Sequence, residues 1–306
     1  MPSKHRGLVA AKDFLIAAKL ACYLLAAMTP QRHWPAAARL LGRAHLRMQG
    51  RSARILAHSS AFRGRDIRAS TAEALGWDYL ANIQAIREAF PGGWQCAPTL
   101  TGRDVLDQAL QRSRGAVLWF TPFSGAFFAM GKALAEYSLT QLSTPSHPFS
   151  PTWVGTRWLN PIRVRAENRY LARRVRVVYG NAQPALAVLR QVLHDNGVVT
   201  ITAIGSGKRS LAFPFLGGTL DLAIGAPRLA HETGAALIPV FALPDDDGGY
   251  RVELGPDLTS ATMLPLQQAL QEMASRYVEL LEPKVQANPA KWQGWFYPGT
   301  WRPSPG

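Results

Sequence analysis

Two side chains of this 306-residue sequence follow segments of strand character, where an α/β sheet would place chemistry: Ser124, in the turn Pro122-Phe123-Ser124-Gly125, and His147, in STPSHPFSP. Parallel sheets hold their sites beyond the carboxyl ends of strands. An imidazole there can take a proton from an acceptor group, and a hydroxyl can partner it or donate to a developing oxyanion. The alternative for His147 is a loop histidine bonded to its own turn. Other motifs read more plainly. Asp245-Asp246-Asp247-Gly248-Gly249 carries enough acid to suggest a metal, but an Asp/Gly run between two strands is what a turn requires. Gly205-Ser206-Gly207-Lys208 only resembles a phosphate loop, since Thr202 stands where its first glycine would be. His231 and Glu232 are adjacent on a predicted helix and diverge by about 100°. Cys22 and Cys96 show neither metal-ligand nor disulfide spacing.

The elements that must position these groups alternate. Strands are expected at 116–120 (AVLWF), 138–143, 175–179, 198–204 and 236–243, with helices at 125–136, 183–195 and 222–233 between them. That order predicts an α/β domain with a mostly parallel central sheet flanked by helices. The strand at 250–254, joined through the Asp/Gly turn, adds an antiparallel edge. A long helix at 264–285 and an aromatic cluster, Trp292, Trp295, Phe296, Tyr297 and Trp301, close the chain. An amphipathic helix at 70–89 ends at Pro91-Gly92-Gly93, which divides an N-terminal helical region, 1–93, from the main domain, 94–306.

Residues 14–28 (FLIAAKLACYLLAAM) predict a helix spanning about 22 Å, short of the roughly 30 Å hydrocarbon core, and Lys19 interrupts it. A tilted or interfacial anchor fits better than a spanning helix, with a signal peptide as the alternative. The Arg-rich stretch WPAAARLLGRAHLRMQ suits a cytoplasmic-side membrane surface or, alternatively, packs on the core. Lys and Arg outnumber Asp and Glu by 34 to 20, giving a net charge of +14. Residues 32–68 hold nine arginines against Asp66, and residues 157–176 hold seven against Glu167. Arg163, Arg165, Arg169 and Arg173 recur at roughly helical spacing, either to meet headgroup phosphate or as a solvated face. Such a chain seeks anionic lipid or an acidic carrier protein; no nucleic-acid-binding motif is present.

Three further stretches carry a resemblance: Pro214 to Gly217 (P-F-x-G), Gly225 to Ala230 (G-x-x-R-L-A) and Thr233 to Pro239 (TGA-x-x-x-P). With the closing NPAKWQGWFYPGTW, they resemble the bacterial lipid A lauroyl/myristoyl acyltransferases, in the same order along nearly the whole chain. The resemblance implies acyl transfer from acyl carrier protein or coenzyme A, as co-substrate and without a cofactor. The acceptor would be a lipid or glycolipid at the cytoplasmic face of the bacterial inner membrane. It also implies a binding role for Arg228, toward phosphate.

The family's catalytic pair is a His followed, after four residues, by Asp or Glu, just past the first main-domain strand. Here Pro122 and Phe127 fill those positions, and no His, Asp or Glu occurs between Arg114 and Lys132. Three explanations stand. The chemistry has moved, to His147 with Ser124; or positioning suffices for an amine acceptor; or the fold binds lipid or carrier protein without turnover. In the last, Pro122, Phe123, Phe127 and Phe128 line a pocket.

Overall fold

The computed structural model describes residues 3–46, 50–143, 150–177, 181–203, 209–259, 264–297 and 299–304, with backbone alone for 3–11, 50 and 51. His147 and Gly205 to Lys208 lie outside the described residues.

Four helices come first: α1 (Ser3–Ala27), α2 (Trp34–Leu46), α3 (Gly50–Ala57) and α4 (Ile67–Ala89). The Asp66 carboxylate caps α4 by accepting from the Arg68 and Ala69 N–H groups at 2.8 and 3.3 Å. Small residues dominate α4, and it is buried on most faces rather than amphipathic as its sequence suggests. α2 buries Trp34, Ala38, Gly42 and His45 against α4. The two backbones meet so closely that a Cβ at Gly42 would fall 2.5 Å from the Ala72 carbonyl oxygen. Among the described residues no helix is long and apolar enough to cross a membrane.

The main domain is built on a seven-stranded sheet of order β1-β9-β8-β2-β5-β3-β4. Its strands are β1 (Thr99–Thr101), β2 (Ala116–Phe120), β3 (Thr140–Ser143), β4 (Arg173–Arg176), β5 (Val198–Thr202), β8 (Ala236–Pro244) and β9 (Tyr250–Leu254). β8, β2, β5, β3 and β4 run parallel, so their carboxyl ends share one edge. β9 is antiparallel to β8, as the Asp/Gly turn predicts; the Asp245 N–H donates to the Gly249 carbonyl and Gly248 takes φ +89°. Helices α5 (Arg103–Gln111), α6 (Ala126–Ala133), α7 (Asn160–Asn168), α8 (Gln183–His194), α9 (Gly225–Thr233) and α10 (Leu266–Ala287) connect and cover the strands. Every residue of β2 and β8 is buried, as a doubly covered parallel sheet demands.

A second sheet, β10-β7-β6, was not foreseen: β6 (Ser210–Phe215), β7 (Gly218–Ala223) and β10 (Trp301–Pro303). The helix expected over 222–233 therefore begins only at Gly225. The reason is visible in β7, where Leu220 and Leu222 are buried and Thr219 and Asp221 are not, a period of two. Leu216 and Gly217, at φ +48° and +79°, make the two-residue turn of a hairpin. The Leu216 carbonyl accepts from the Ser60 N–H at 2.9 Å and the Ser59 hydroxyl at 3.1 Å, tying the turn to the N-terminal region.

Candidate functional site

Beyond Phe120, at the carboxyl edge of the sheet, the chain runs through Thr121 to Gly125 against the C-terminal segment. Thr121 Oγ1 accepts from Trp292 Nε1 at 2.9 Å, the Pro122 carbonyl from the Gln293 N–H at 2.9 Å, and the Lys291 carbonyl from the Ser124 N–H at 3.0 Å. Gly125 takes φ +76° and packs so closely that a Cβ would overlap the Tyr250 hydroxyl. α6 starts there and projects Phe127 and Phe128.

This turn, α1 to α4, α7 and the C-terminal aromatics line an open cavity of about 1040 Å³. One part of its wall is apolar, with Phe123, Phe127, Phe128, Trp295, Phe296 and Trp301. The other part is polar, with Lys19 from α1, His45 from α2, Asp78 from α4, and Arg163 and Glu167 from α7. Leu75, Asp78, Ala81 and Ala85 line it from one face of α4, and the two alanines leave room that larger side chains would fill.

Burial lowers the Lys19 pKa, and the Asp78 carboxylate opposes the shift. Burial, and then the Lys19 charge, bring His45 down to about 4. Its ring meets Tyr79 edge-on at 5.8 Å. Arg163 Nη1 donates to Asn82 Oδ1 at 3.0 Å, and Glu167 is paired with Arg174 at 2.9 Å. Among the described residues no cluster of three or more His, Cys, Asp or Glu could hold a metal ion.

The sequence-predicted residues divide. Pro122, Phe123, Ser124, Phe127 and Arg163 come together in the cavity wall. Phe127 stands edge-on to Phe120 at 4.9 Å. Ser124 is 2% exposed; its hydroxyl accepts from Gln293 Nε2 at 2.7 Å and donates to the Lys291 carbonyl at 3.4 Å. These two bonds tie Ser124 and its turn to the C-terminal segment. Arg165 is exposed on α7 and outside the cavity wall. Arg228 also lies outside it: Arg228 Nε donates to Glu232 at 2.6 Å, and Glu232 also pairs with Arg190 at 2.8 Å. Arg169 lies just past α7 and pairs with Glu88, and Arg173 is exposed on β4, so the expected helical row stops at Arg165. Lys19, His45, Asp78, Glu167 and Gln293 were missed. Lys19, as the charge inside an apolar run, was the one legible signal.

The His45 shift gives a prediction with a definite sign. A histidine held near 4 when folded and at about 6.5 when unfolded leaves the unfolded chain binding more protons between those values. Its contribution to stability is therefore complete above about pH 6.5 and lost as pH falls toward 4. His45→Gln should flatten the loss of stability over that range, by on the order of 2–3 kcal/mol at pH 4. Urea unfolding at a series of pH values checks this, and parallel curves for the two proteins would refute it.

The chain matches the profile of the family described as "Bacterial lipid A biosynthesis acyltransferase" over residues 82–299. It is 30% identical over 193 residues to phosphatidylinositol mannoside acyltransferase of Mycobacterium tuberculosis, covering 62% of this chain and 56% of that protein. The protein of the same name from Mycolicibacterium smegmatis is 30% identical over 191 residues, or 62% and 58%. The chain thus spans little more than half the length of these relatives. On the family match, which includes the β2 turn and the cavity-lining residues Trp295, Phe296 and Tyr297, this chain belongs to the bacterial lipid A biosynthesis acyltransferases.

Proposed function

We propose that this protein transfers a fatty acyl group from a thioester, on acyl carrier protein or coenzyme A, to a lipid or glycolipid acceptor held in the cavity. The observation that carries this reading is the cavity itself. It opens beyond β2, at the sheet edge where α/β folds do their chemistry, and it combines an aromatic part for an acyl chain with a polar part for a headgroup. Family membership and the names of the relatives support the reaction class. In the reaction the acceptor oxygen or nitrogen forms a bond to the acyl carbon, the carbon–sulfur bond breaks, and the acceptor's proton leaves with the thiol. We place this work at the cytoplasmic face of the bacterial inner membrane, where anionic lipids suit the +14 charge.

Pro122 and Phe127 carry no proton, so the active site is non-standard, and we assign the base to His147. A second reading, binding without turnover, is favoured by the same two residues. Incubating the purified protein with acyl carrier protein and coenzyme A thioesters and a bacterial lipid extract separates the two. Acyl transfer predicts release of free thiol matched by a lipid heavier by one acyl group. Lipid retained unchanged, with every thioester intact, would establish the binding reading instead.

A further inference from the structure

Among the described residues, two of the most exposed large apolar side chains are tryptophans inside the main domain. Trp153 is 68% and Trp158 53% exposed, on the helical segment that runs into α7, and Phe14 on α1 is 77% exposed. These three belong to one surface. The Val154 N–H donates to the Asp13 carboxylate at 2.8 Å, which joins the residue after Trp153 to the residue before Phe14.

The charge around them is mostly positive. Lys12 and Arg157 are exposed beside the aromatics, and the Arg157 guanidinium lies over the Trp158 ring at 5.3 Å. Residues 150–165 contain Arg157, Arg163 and Arg165 and no acid, and the nearby Asp13 is engaged by the Val154 N–H. Exposed tryptophans flanked by cations match the boundary between water and acyl chains, where indole is amphipathic and arginine reaches the phosphates.

We propose that Phe14, Trp153 and Trp158, with Lys12 and Arg157, form a docking face for an anionic lipid bilayer. The same two elements lead inward. Lys19 lies five residues beyond Phe14 on α1, and Arg163 five beyond Trp158, a rise of about 7.5 Å along a helix in each case, and both line the cavity. A protein seated on this face holds lipid headgroups beside the cavity's polar wall. The proposal rests on the acyl-transfer reading only for what the cavity then does; docking itself needs no turnover.

The test is flotation of the full chain with vesicles of phosphatidylglycerol and phosphatidylcholine, and with phosphatidylcholine alone. Binding should require the anionic lipid, weaken with salt, and fall at least about tenfold in the double variant Trp153→Ser, Trp158→Ser. Gln271→Ser, on the exposed face of α10, should bind as wild type. An unchanged unfolding midpoint shows that the exposed tryptophans were removed without harm to the fold. Equal vesicle binding by the double variant and wild type overturns the proposal. So does wild type that ignores phosphatidylglycerol. A solution dimer that the double variant disperses, with vesicle binding intact, assigns the face to a second copy of the chain. Capture of acidic carrier protein by this face, with no vesicle binding, assigns it to that protein. Acyl transfer can fail in wild type while docking succeeds, which separates the two readings.

Discussion

Glu88→Ala is expected to lower the unfolding free energy by about 3–5 kcal/mol, the cost of removing a fully buried carboxylate and leaving its several donors without an acceptor. Glu88, on the last turn of α4, is fully buried. Its carboxylate accepts from the Trp94 N–H at 3.1 Å and the Tyr170 hydroxyl at 2.7 Å, and pairs with Arg169 at 3.0 Å and Lys132 at 3.6 Å. Lys132 also donates to the Trp94 carbonyl. Burial and then the bond to Glu88 push the Tyr170 phenol well up. One carboxylate thus fastens α4 to α6, to the end of α7 and to the segment that opens the main domain. Glu88→Gln keeps an acceptor but loses the charge, and should fall between wild type and Glu88→Ala. Chemical unfolding measures both; a loss below about 1 kcal/mol for Glu88→Ala would show that the neighbours rearrange to water without penalty.

The second large effect concerns the proton. His147→Ala should reduce acyl transfer by 10²-fold or more, the scale of a lost general base, whereas His45→Gln should leave it within a few-fold. Registers support this assignment. Gln141 faces Thr200, which faces Leu118, so Ser143 ends level with Phe120, two strands or about 10 Å away. His147 follows Ser143 by four positions in the sequence and lies outside the described residues. Burial and the Lys19 charge hold His45 near 4, which makes it a weak base. Full activity in His147→Ala would remove that residue from the site, and loss in His45→Gln alone would transfer the role across the cavity to α2.

β2, β5 and β8 were legible because each is a short apolar run bounded by turn residues, whereas β4 starts at Arg173, ahead of the expected 175–179, and holds a single apolar residue in RRVR. The three acids at 245–247 were legible as a turn for the same reason. The β6–β7 hairpin was hidden because its turn uses Leu216, a residue that rarely takes positive φ, and tertiary bonds from Ser59 and Ser60 hold it there. The turn after β2 could be placed, and with it Pro122, Phe123 and Phe127. The polar wall could not, since Lys19, His45 and Asp78 come from three helices and nothing in their spacing brings them together. Arg228 shows the converse: matching a family position does not bring it to the cavity, and its guanidinium is taken up by Glu232.

The most direct test of acyl transfer is intact-lipid mass spectrometry of cells with and without the protein. The account predicts one lipid class whose members lose a single acyl chain when the protein is absent and regain it with the wild-type chain but not with His147→Ala. Identical lipid profiles in all three strains, with the protein present and folded, would contradict it.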